Sequence, residues 1–101
     1  MSEFYAPVAP EMLKRERARA RELRASQWWK RRIADGLCYY CRRQVGIRAL
    51  GMDHLVPLAR GGRSVRGNVV PSCKACNSRK QSMLPVEWTE YVRALGARDE
   101  D

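Results

Sequence analysis

The run from Cys38 to Lys80, CYYCRRQVGIRALGMDHLVPLARGGRSVRGNVVPSCKACNSRK, holds every cysteine and the only histidine of a 101-residue chain. The cysteines fall as Cys38-x-x-Cys41 and Cys73-x-x-Cys76, two knuckles with the spacing of zinc ligands. A thioredoxin-like redox pair needs one such motif in a βαβ setting, so the second pair argues against it. The N-terminus, MSEFYAPVAPEM, lacks the basic and apolar regions of a secretory signal. A cytoplasmic location is therefore expected, with thiols reduced rather than paired as disulfides. Four thiolates around one tetrahedral zinc is the reading that follows. A chain this small buries little apolar surface, and a structural zinc supplies folding free energy directly.

Upstream of this run, residues 11–34 contain neither Gly nor Pro and are rich in helix formers, nine of them basic and three acidic. Asp35-Gly36 stops the helix, Gly36 suiting the left-handed position beyond its end. Trp29, Ile33 and Leu37 recur every four residues, so the C-terminal half is expected to dock and the N-terminal half to be solvated. Within the run, Val45–Val56 reads as β structure, with Val45, Ile47 and Ala49 alternating with other residues. Residues 59–63, with Gly61-Gly62, read as a turn, Val69-Val70 as a short strand ended by Pro71, and Cys76–Met83 as helical. Pro85 opens a last helix whose Trp88, Tyr91, Val92 and Leu95 form a core stripe, and Gly96 stops it. The expected organisation is a flexible arm at 1–10, a basic helix at 11–35, a core at 36–82, and a C-terminal helix and tail at 83–101. Its class is α+β.

Charge narrows the partner. Lys and Arg number 20 against 11 Asp and Glu, a net +9 that points to a polyanion, nucleic acid being the usual one. No apolar run approaches the ~18–20 residues of a membrane span, and no basic helix carries a strong apolar face, so a membrane is not an expected partner. Within the first helix, Arg17, Arg21 and Arg24 are candidates to meet phosphate.

Common zinc modules separate their knuckles by ~15–20 residues, whereas residues 42–72 intervene here. An insert of that length needs structure of its own. Inside it, the Asp53 carboxylate suits a hard cation such as magnesium, and the neutral His54 imidazole suits proton transfer near pH 7. Neighbours on an extended strand point to opposite faces, so a bulge or strand end must intervene if both act. Asn68 and Asn77 offer amide oxygens as ligands or acceptors and amide hydrogens as donors.

Taken in order, Cys-x-x-Cys, Asp-His-x-x-Pro, Gly-Gly, Asn and Cys-x-x-Cys-Asn-x-x-Lys resemble the HNH endonuclease family, of the His-Me finger group. The residues are Cys38, Cys41, Asp53, His54, Pro57, Gly61, Gly62, Asn68, Cys73, Cys76, Asn77 and Lys80. Asn68 follows His54 by 14 positions and Asn77 follows Asn68 by nine, which matches the family's intervals. The resemblance covers residues 36–82, and at this length the chain looks like the small stand-alone HNH proteins of bacteriophages and their hosts. It implies a zinc-stapled ββα-metal domain flanked by the basic and amphipathic helices. It implies metal-dependent hydrolysis of DNA phosphodiesters, leaving 5′-phosphate and 3′-hydroxyl ends. His54 would be the general base, Asp53 and Asn77 would hold magnesium or manganese, and Asn68 would fix the loop that aims His54. Lys80, and less directly Arg79, would meet phosphate. The last letter of the motif is Asn here rather than His, which keeps an oxygen ligand. Two other readings compete: a non-catalytic zinc module that binds DNA, and a packaging factor active only beside a phage terminase.

Overall fold

Proline at position 10 occupies the first turn of helix α1 (Pro10–Ala25), where its missing N–H costs nothing. The structure, a computed structural model, describes residues 7–100, with side chains to residue 96. Of the expected arm, residues 1–6 therefore lie outside the described residues, and Pro10 already belongs to the helix. The single helix expected over 11–34 is broken at Ser26, whose backbone is extended (φ −78°, ψ 154°). Its hydroxyl donates to the Leu23 carbonyl at 2.6 Å and accepts from the Trp29 N–H at 3.2 Å, starting a short α2 (Gln27–Arg32). A serine hydroxyl caps a helix better than it tolerates a helix interior.

The first helix also docks where solvation was expected. Glu16 and Ala20 are its buried residues, at 2% and 3% exposure, while Arg17, Arg21 and Arg24 remain exposed. Trp29 of α2 is buried as its spacing suggested.

The described residues hold one sheet, an antiparallel pair of β1 (Leu50–His54) and β2 (Val69–Cys73). The β structure expected from Val45 begins only at Leu50. Gly46 turns the chain at φ +91° into a 3-10 turn over Ile47–Ala49, and Ile47 is 51% exposed, so the alternation there was not a buried face. Pro71 does not end β2 but sits inside it opposite Met52. In a two-stranded ribbon a proline is tolerated where its missing N–H would face away from the partner strand. Helix α3 (Lys74–Lys80) follows β2 directly, and α4 (Pro85–Glu100) runs through Gly96, which was expected to stop it. A lone glycine weakens a helix interior by ~1 kcal/mol relative to Ala and need not end it. The α4 stripe is only half sunk, Val92 being 45% exposed.

The centre of the molecule is correspondingly small. Cys38, Cys73 and Cys76 form the buried cluster, with Tyr40, Val45 and Leu50 packed against it. No helix among the described residues is long and apolar enough to cross a membrane.

Candidate functional site

The two knuckles meet at that centre. All four sulfur atoms lie within 4.8 Å of one another, and Cys41 Sγ stands 3.9 Å from Cys73 Sγ. A tetrahedral zinc with Zn–S bonds of ~2.3 Å spaces its sulfurs by ~3.8 Å. The soft donor set and its spacing fit zinc. Burial would raise the Cys38 thiol, but backbone N–H groups of Cys41, Cys73 and Tyr40 outweigh it and bring the pKa down to about 7. One of those bonds, Cys73 N–H to Cys38 Sγ, spans 3.4 Å. Cys76 lacks such help, and burial pushes its thiol up.

Strand β1 carries Asp53 and His54 at its far end, opposite Val70 and Val69. Pairing runs to His54, where β1 ends, so the two side chains start on opposite faces and the strand end is what must bring them together if both act. Asp53 turns toward Tyr40, whose hydroxyl donates to Oδ2 at 2.5 Å, and toward Lys80, whose Nζ reaches the same oxygen at 3.2 Å. Lys80 has 0% exposure, donates to the His54 carbonyl at 3.1 Å, and lies 5.8 Å from the centre of the Tyr40 ring. The expectation that Lys80 meets phosphate does not fit this geometry, because its ammonium is enclosed and already partnered. Arg79, its neighbour, is exposed. Burial, then the bond to Asp53, raises the Tyr40 hydroxyl pKa. Trp88, given no role from sequence, packs edge-on against Tyr40 at 5.2 Å.

On the other face, His54 Nε2 stands 2.9 Å from Ser64 Oγ. Ser64 is itself bound twice by Glu16 of α1: its hydroxyl donates to the Glu16 carbonyl at 2.7 Å, and its N–H donates to Oε1 at 2.6 Å. Arg63 Nε reaches Oε2 at 3.1 Å. The Ser64 N–H, with Arg19 and Arg63 adding to it, holds the Glu16 carboxyl below its usual range. Burial lowers the His54 pKa; Asp53 and Glu16 oppose this, while Arg24 and Lys80 reinforce it.

The loop between the strands is tied by Asn68. Its Oδ1 accepts from Val56 N–H at 2.9 Å, and its Nδ2 donates to the Val56 and Arg63 carbonyls at 3.1 and 2.8 Å. Gly62 is pressed onto the same segment, where a Cβ would fall 1.7 Å from the Val56 carbonyl oxygen. Residues 38–91 match the family model for HNH endonucleases.

The chain belongs to the HNH endonuclease family. Among curated proteins none matches it. The HNH segment encloses the four cysteines, Asp53, His54, Asn68 and Asn77, and leaves Glu16 and the arginines of α1 outside it. Asn77 is exposed on α3, and among the described residues its side chain makes no hydrogen bond. It borders an open groove of about 620 Å³, whose margin also carries Arg43, Arg48 and Lys74. None of these three cations has an acidic partner among the described residues, and sequence reading had not singled them out. Between Asp35 and Glu87 the only acidic residue is Asp53, and Lys80 neutralises it. Glu16, Ser64 and Tyr40 were missed as well. The one available signal was a lone acid at position 16 within a run of arginines.

Proposed function

We propose that this HNH protein hydrolyses DNA phosphodiester bonds, with His54 as general base and a divalent cation, magnesium or manganese, held by Asp53 and Asn77. The observation that carries the reading is the setting of the chain's only histidine. It is half-buried at the end of a strand, held at one ring nitrogen and kept toward its neutral form, inside the segment that matches the family. A neutral imidazole in that setting is ready to accept a proton from water. Asp53 and Asn77 offer hard oxygen donors, and Asp53 Oδ1 makes no hydrogen bond among the described residues. Magnesium keeps several of its waters, so two protein ligands suit it. When bound, the cation supplies Lewis-acid stabilisation of the phosphate and the departing oxygen. Asn68 keeps the loop folded against His54, and Lys80 holds Asp53 and the strand end in place. The structural zinc closes both ends of the insert.

The phosphate backbone would follow the Arg43, Arg48 and Lys74 groove, with Arg17, Arg21, Arg24 and Arg79 as further contacts. Cleavage would leave 5′-phosphate and 3′-hydroxyl ends. Incubation of supercoiled plasmid with protein and magnesium tests the reading directly. The parent protein should nick or linearise it, and His54→Ala should be slower by roughly 10²–10⁴-fold. Asp53→Asn, which keeps an acceptor for Tyr40 and Lys80 though not the charge opposite Lys80, and Asn77→Ala should recover in part with excess metal. Equal cleavage by His54→Ala would sink the assignment of the base. Activity seen only after a phage terminase is added would favour the packaging reading.

A further inference from the structure

The bond between His54 and Ser64 has a direction that its neighbours decide. A serine hydroxyl has one hydrogen to donate and lone pairs to accept with. Ser64 is 4% exposed, and its hydroxyl hydrogen goes to the main-chain carbonyl of Glu16 at 2.7 Å. Its oxygen is then left to accept, so at 2.9 Å the ring must be the donor through Nε2–H. In a neutral imidazole one nitrogen carries the hydrogen and the other a bare lone pair. A ring that donates from Nε2 therefore has its lone pair at Nδ1.

Ser64 is in turn fixed by a residue 48 positions away. Glu16 takes the Ser64 N–H on Oε1 at 2.6 Å and the hydroxyl on its carbonyl, gripping one residue with both side chain and backbone. Arg63 at 3.1 Å and Arg19 at 3.6 Å neutralise the buried carboxylate. We propose that Ser64 and Glu16 are positioning residues that hold His54 in the Nε2–H form with Nδ1 as the proton-accepting nitrogen. Helix α1, outside the HNH segment, is thereby a working part of the site. The catalytic half of this inference rests on His54 being the base; the hold on the ring does not.

A single histidine makes the test clean. In the full-length, zinc-loaded chain with 15N-labelled histidine, long-range proton–nitrogen correlation at a pH where the ring is neutral reports one imidazole only. The parent should show hydrogen on Nε2 and a bare Nδ1. Ser64→Ala should give a mixture of the two tautomers with zinc content unchanged, and kcat on DNA should fall about 10-fold at unchanged KM, as expected for loss of one hydrogen bond. Ser64→Thr, which keeps the hydroxyl, should restore both the single tautomer and the rate. A parent ring protonated on Nδ1, a reading that needs no variant, overturns the proposal. So does a Ser64→Ala ring that keeps the parent's single tautomer. If the parent shows Nε2–H and Ser64→Ala mixes the forms, yet the parent cuts no DNA, the hold on the ring stands and the general-base reading falls.

Discussion

Lys80 and Arg79 are adjacent in sequence and opposite in environment. Lys80 is fully enclosed against Asp53, itself 11% exposed, whereas Arg79 faces solvent. Removing one partner of a buried ion pair strands the other charge, at a cost of ~3–5 kcal/mol. Asp53 keeps the Tyr40 hydroxyl as a donor, so Lys80→Ala should lie near ~3 kcal/mol, while Arg79→Ala should stay within about 0.5 kcal/mol. Urea midpoints at constant slope would measure both. The second prediction at this scale concerns pH. The proposed base, His54, acts in its unprotonated form, and it is shifted below its usual value, chiefly by burial. The rate should therefore rise with pH through a midpoint below ~6.5 and be level above it; a midpoint above 6.5 would contradict the burial argument. These residues were unequally legible in the sequence. Cysteine pairs and an Asp-His step announce themselves because metal and proton chemistry restrict residue type and spacing. Glu16 and Ser64 do not, because their bond joins distant segments and no local rule connects a helix acid to a loop serine.

Among the elements, the loop from Leu55 to Asn68 is tied at both ends. Gly62 N–H donates to the Pro57 carbonyl at 2.9 Å, and Asn68 closes the other side on Val56. Gly62→Ala would place a methyl group on main chain rather than on a movable side chain. Overpacking of this kind costs ~1–3 kcal/mol. The variant should lose cleavage while still binding zinc, and equal cleavage would mean that the loop can shift without moving His54. Helix breaks and strand ends were the least legible features. Ser26 looked like one polar residue in a helical run, and Pro71 looked like a stop. Ser26 breaks the helix because its hydroxyl serves both flanking turns at once, and Pro71 persists because only one side of its strand is paired.

For the molecule as a whole, the four-cysteine cluster stands where a larger domain would have a conventional core. Three of its cysteines form the buried cluster, and Ala20, Trp29, Val69 and Val70 add little further buried apolar surface. Zinc sites of this type bind with ~10–16 kcal/mol, which matches or exceeds the 5–15 kcal/mol stability of ordinary domains. Chelation, or Cys76→Ser, should therefore abolish cooperative unfolding in thermal circular dichroism; a folded metal-free variant would refute that dependence. The proline in β2 has one further consequence. A strand with one unpaired side presents a row of donors and acceptors on which another copy can add, the usual seed of edge-to-edge aggregation. Here the Pro71 carbonyl already accepts from Tyr39 N–H at 2.8 Å, and Cys73 N–H already points to Cys38 Sγ. At position 71 there is no donor to offer at all. Around Pro71 the outer margin of the ribbon is thus closed to a recruiting chain by covalent chemistry as well as by cover. Loosening the knuckle can uncover that margin, yet it cannot give the proline a hydrogen.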